Sequence, residues 1–214
     1  MPGDLVGGAY PLSYSLRKAF GLQANATQGN LGVRSNVEWF GYADITDATA
    51  SLVSASMTVV AVPVENGDVF TTCAIAVGNT AAGTPTHQWV QLYTGALTTA
   101  LPLGTQSVDG TSTAIPSKKL YTFTLPSGIV INTNSTANGG NAPYGYVYVG
   151  IGMTATTVPS LCGGNVAVNC QYARFPNSPP FLAGTISASG ATAPTSVTLA
   201  SVTAIATVPE VYLY

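Results

Sequence analysis

The chain has 214 residues, of which 46% are hydrophobic and 7% charged, and its net charge is −2; globular domains ordinarily carry about a quarter charged residues. Six basic side chains are too few to neutralise a phosphate backbone, so nucleic acid is excluded as the main ligand. Thr, Ser, Gly and Pro break every apolar run short of the ~20 residues a spanning helix needs, and membrane insertion is not expected. The opening MPGDLVGGAY has an acid where a signal peptide carries basic residues, with no apolar core behind it. The chain is therefore expected to fold where it is made.

Seven of the fourteen charged residues fall in the first fifty positions. Residues 1–47 accordingly read as an attachment arm and residues 48–214 as one domain. Within the arm, Leu12, Leu16 and Phe20 recur every four residues, with Ser13 or Ser15 as a cap and Gly21 as a stop, which predicts a short helix. So short a helix is marginal alone. It packs either on its own domain or, with Arg17 and Lys18, on another subunit. Trp39, Phe40 and Tyr42 are expected to close the base of the core.

Met57 to Val64 is rich in β-branched residues and reads as a strand ending at Pro63. The Asn66–Gly67 pair behind it is a two-residue hairpin signal, so the next strand, Val69 to Val77, is expected to be its antiparallel neighbour. In that central strand Val69, Cys73, Ile75 and Val77 should face one way, and Phe70, Thr72, Ala74 and Ala76 the other. Turn residues then lead to a strand over His87 to Thr94. Thr105 to Val108 could form a short strand before an Asp109–Gly110 turn. Leu120 to Leu125 alternates clearly, and Ile129 to Ile131 could continue it or pair beside it. After a polar loop, Gly145 to Thr156 sets Tyr146, Tyr148, Gly150, Gly152 and Thr154 against Val147, Val149, Ile151 and Met153, whose face should turn inward. The terminal VPEVYLY is expected to close a sheet at its edge. Short strands, turn chemistry and little helical periodicity together predict an all-β fold, an antiparallel two-sheet β-sandwich of jelly-roll type preceded by the extended arm with its short helix.

The sites on offer are few. Cys73 reads as a core residue, while Cys162 and Cys170 could meet across a hairpin; no histidine stands near them, and their spacing matches no zinc pattern. Gly150, Gly152 and Ala155 spell G-x-G-x-x-A, yet TTVPS follows where a dinucleotide site needs a helix to open, so the glycines are read as places where a ring or strand approaches the sheet. His87 is the only histidine and lacks a nucleophile elbow around it. Eight acids make a paired-carboxylate site improbable, and the sequons at Asn25 and Asn134 are read as chance matches. No catalytic, metal or cofactor residue is assigned. Trp89 and the cluster Tyr144, Tyr146 and Tyr148 are the candidates for a subunit interface or, through flat rings beside amides, a glycan patch.

The run TTCAIAVGNTAAGTPTHQWVQLYTG, then LYTFTLPSG, then YGYVYVGIGMTATTVPSLCGG and the terminal VPEVYLY resembles minor tail and related virion structural proteins of long-tailed bacteriophages, particularly those of actinobacteria. The resemblance covers roughly Phe70 to Tyr214. It implies a non-enzymatic virion protein, made in the host cytoplasm, whose partners are copies of itself, as a homotrimer, and other virion proteins. A capsid decoration protein and a carbohydrate-binding module for a host-surface glycan are the alternative readings.

Overall fold

The computed structural model describes residues 33–36, 45–46, 52–111, 113–165, 179–188 and 190–214. Among them the chain is all-β, with no α-helix, and its strands, numbered β1 to β15 along the chain, pair antiparallel throughout. A six-stranded sheet, curled into a half-barrel, has the order β13 (Thr203–Ala204), β11 (Ala183–Ser187), β3 (Ser56–Pro63), β9 (Tyr146–Thr157), β5 (Gly83–Tyr93) and β7 (Pro102–Leu103). A four-stranded sheet runs β1 (Arg34–Ser35), β15 (Val211–Leu213), β4 (Val69–Ala76) and β8 (Leu120–Val130). Two small sheets join β14 (Thr207–Pro209), β10 (Gly163–Asn165) and β2 (Ile45–Thr46), and β12 (Val197–Thr198) with β6 (Thr99–Ala100).

One core lies between the two large sheets: Val60, Val90 and Val149 of the six-stranded sheet share it with Phe70, Ile75, Phe123 and Leu213 of the four-stranded one. The valine face of β9 does turn inward. Its other face is buried too, because Met57, Trp89, Tyr146 and Tyr148 form a second cluster under Phe181, Leu199 and Val202. A sheet covered on both faces needs apolar residues on both, which is why β9 runs YVYVGIGM with no charge.

The Asn66–Gly67 turn forms, with Gly67 at φ +86°, yet β3 and β4 are not neighbours. Gly67 N–H donates to Ile131 O at 2.9 Å and Ile131 N–H to Asp68 O at 2.8 Å, so the turn extends the β4–β8 ladder and carries the chain from one sheet to the other. The expected facing of β4 also fails at one point. Thr71 and Thr72 both donate their N–H to Tyr214 O, a bulge that shifts the alternation by one residue and puts Phe70 on the core side with Cys73 and Ile75.

Thr105 to Val108 is no strand; short strands form instead at Thr99–Ala100 and Pro102–Leu103. The strand expected over His87 to Thr94 begins earlier, at Gly83. Ile129 and Val130 do continue β8, after an irregularity in its pairing with β4. The C-terminal strand does not close an edge: β15 lies between β4 and β1, because Arg34–Ser35, from the segment read as an arm, pairs on its outer side. Ile45–Thr46 likewise pairs with β10. The expected helix with Leu12, Leu16, Arg17, Lys18 and Phe20, the aromatic group Trp39, Phe40 and Tyr42, and Cys170 lie outside the described residues.

Candidate functional site

Three of the four aromatics proposed from sequence are interior. Trp89 is 1% exposed, Tyr146 and Tyr148 are fully buried, and Tyr144 alone reaches the surface, at 38%. The rings form a ladder: Tyr144 stacks on Tyr146 at 6.1 Å, Tyr146 meets Tyr148 edge-on at 5.4 Å, and Tyr148 packs on Phe181 at 5.5 Å. Their polar tips hold loops down. Tyr146 and Tyr148 both donate to Ala96 O, at 2.9 and 3.3 Å, Trp89 Nε1 donates to Gly190 O at 3.0 Å, and Tyr93 donates to Pro194 O at 3.0 Å. Burial pushes the Tyr146 hydroxyl up to about 12 and those of Tyr93 and Tyr148 further still. A Cβ on Gly152 would overlap the Trp89 ring, and one on Gly150 would stand 2.8 Å from the Tyr93 ring and 2.5 Å from Met57 Sδ, so these glycines admit rings against the sheet.

His87 sits within β5 next to a pairing irregularity, and its Nδ1 lies 2.6 Å from Asp109 Oδ2. The contact is part of an edge closure. Asp109 Oδ1 accepts the Gln88 N–H at 2.8 Å, Ser107 Oγ accepts the Val90 N–H at 2.9 Å, and the N–H groups of Ser107 and Gly110 return to Val90 O and Gln88 O. The segment 107–110 thus takes the place of a strand along β5, with side chains as its acceptors and backbone N–H groups as its donors. The turn expected at Asp109–Gly110 lies one step later, where Thr113 N–H donates to Gly110 O at 3.2 Å; the acceptor roles of Ser107 and Asp109 were not legible in the sequence, because they depend on which strand edge the loop crosses.

A second polar feature ties the N-terminal segment to the domain. Arg34 donates through Nε and Nη2 to Asp68, at 2.7 and 2.9 Å, and its Nη2 lies 2.7 Å from Glu65 Oε2. Burial opposes the charge on Arg34, but the hydrogen bonds and attraction of Asp68 and Glu65 outweigh it and hold the guanidinium above its ordinary value. Asn36 clamps the same region, its Nδ2 donating to Pro209 O and its Oδ1 accepting from Val211 N–H.

The outer side of β8 is different. Among the described residues no strand pairs with it; Leu120 and Val130, at its two ends, are both exposed, and at the second end Asn141 Nδ2 donates to Val130 O at 2.8 Å. The regularly paired stretch of β8 is Leu120 to Thr124; beyond that the pairing with β4 is irregular up to Ile129. No protein-family model matches the chain, and no curated protein sequence matches it significantly. Among the described residues no group of His, Cys, Asp and Glu is arranged to hold a metal ion, and no helix is long and apolar enough to cross a membrane. Cys73 is fully buried in the main core, where desolvation pushes its thiol up to about 12.

Proposed function

We propose that the chain is a non-enzymatic structural subunit of a virion, a minor tail protein of a long-tailed bacteriophage, which assembles with copies of itself as a homotrimer and with neighbouring virion proteins. The observation that carries this reading is the contrast between two edges. The β5 edge is closed by Ser107 and Asp109, whereas the β8 edge carries no strand and is open over Leu120 to Thr124, its far end being met by Asn141 Nδ2 on Val130 O. An open edge is a template for another chain. A composition with 7% charged residues offers little self-repulsion against such pairing and suits a protein whose surface is covered after assembly. The finer fold reading, a jelly-roll-type sandwich, rests on the core shared by the two large sheets and on consecutive strands β3, β4 and β5 alternating between them. Burial takes Trp89, Tyr146 and Tyr148 out of both surface roles given to them, subunit interface and glycan platform, and leaves Tyr144.

The test is light scattering on the purified chain across a range of salt, beside a Thr122→Lys/Thr124→Lys variant that places charges at two exposed positions of β8. A salt-resistant trimer that becomes monomeric in the variant is expected. A wild-type monomer at micromolar concentration, or an unchanged oligomer in the variant, overturns the role given to β8. Electron microscopy of intact particles, with the chain located in the tail, checks the assignment to the virion.

A further inference from the structure

Where β4 ends and β8 begins, the backbone is knit tightly: Lys118 N–H donates to Gly78 O at 2.7 Å, Val77 N–H to Lys119 O at 2.9 Å and Cys162 N–H to Ala76 O at 2.8 Å. Above these bonds lies an open cleft of about 340 Å³, with Ala76, Val77 and Leu120 as its apolar wall and Asn79, Lys118 and Lys119 as its polar side. Extended backbone sends neighbouring side chains to opposite faces. Lys118 instead has φ +56°, a left-handed conformation that is costly for a residue with a Cβ, and both lysines line the same cleft. Lysines at a sheet edge also deter unwanted pairing, but that role does not need the left-handed residue.

The charge census singles out the same place. Arg34 is matched by Asp68 and Glu65, and His87 lies against Asp109. Lys118 and Lys119 are exposed and have no ion pair among the described residues. Two adjacent lysines lining one open cleft bring two positive charges to it and match a dianion better than a single carboxylate, and a phosphate monoester carries about two negative charges at neutral pH. The apolar wall matches an organic body attached to it, and the volume lies at the low end of small-ligand sites.

We propose that this cleft binds a small organic phosphate monoester, with Lys118 and Lys119 on the phosphate and Ala76, Val77 and Leu120 against the organic part. The proposal is independent of the virion reading. Equilibrium dialysis of the full chain tests it, with labelled glucose 6-phosphate as probe and glucose and inorganic phosphate as comparisons. Glucose 6-phosphate is expected to bind saturably at one site per chain, inorganic phosphate more weakly and glucose not at all. Binding should weaken as pH falls through the phosphate's second ionisation, near about 6. Lys118→Gly/Lys119→Ala removes both cations while giving position 118 a residue at ease with positive φ, and should weaken binding about tenfold or more. Lys118→Arg/Lys119→Arg should retain it. Absence of saturable binding, equal binding of glucose, or unchanged affinity in the Gly/Ala variant overturns the proposal; circular dichroism establishes that each variant is folded.

Discussion

Arg34 and Asp68 form a two-bond ion pair in which the Asp68 side chain is fully buried and the Arg34 side chain is 10% exposed, linking β1 to the turn that carries the chain between the large sheets. Asp68 also accepts the Glu65 N–H at 2.8 Å. Removing one member of such a pair strands a charge in the interior, at a cost of roughly 3 kcal/mol or more. Arg34→Met should therefore lower stability by that amount in denaturant unfolding, and Arg34→Met/Asp68→Asn should recover part of it. By the same argument a chain lacking residues 1–29 should fold, while one lacking residues 1–36 should show the full loss.

Gly152 faces the Trp89 ring so closely that a methyl group has no room. Gly152→Ala has to displace a fully buried indole or separate β5 from β9, which costs roughly 1–3 kcal/mol. A lowered melting temperature with an altered near-ultraviolet circular dichroism signal is expected. An unchanged signal would show that the sheet spreads there at little cost.

Thr58 sits inside β3 with its Oγ1 buried and without a hydrogen-bond partner. Replacing that hydroxyl with a methyl group of similar size removes an unsatisfied polar atom and keeps the β-branched shape. Thr58→Val is predicted to stabilise the protein by about 1 kcal/mol in denaturant unfolding.

Glu210, whose carboxylate accepts from the Tyr212 hydroxyl, is held above its ordinary value of 4.5 by burial, with that hydrogen bond pulling the other way. A carboxyl raised on folding binds its proton more tightly in the folded state, so its unfavourable contribution grows as pH rises from its unfolded value through its folded one. Glu210→Gln should be more stable than the wild type at neutral pH, with the difference vanishing in acid. At the alkaline end, burial pushes the Tyr146 hydroxyl up to about 12 from an ordinary 10.0, so stability should fall as pH rises above 10.0, with tyrosinate absorbance from the newly exposed rings appearing together with unfolding.

The sequence by itself determined that the described residues are all-β, and it located most of the long strands, because β-branched and alternating runs such as MTVVAVPV and LYTFTL depend on local side-chain and backbone preferences. It also located Gly150 and Gly152 as places of close approach, since a glycine inside a strand asks for a neighbour to fill the space. Which strands pair was decided only in three dimensions. The Asn66–Gly67 turn has the same local chemistry whether it closes a hairpin or crosses between sheets; the bonds from Gly67 and Asp68 to Ile131, some sixty residues away, make it a crossing. The tyrosines of β9 carry the same ambiguity, because an amphipathic ring suits a subunit interface and an interior equally well, and only the return of Phe181, Leu199 and Val202 over that face buries them. Ser107 and Asp109 close an edge, and Lys118 and Lys119 share a cleft, through contacts and a backbone angle that no short sequence window contains.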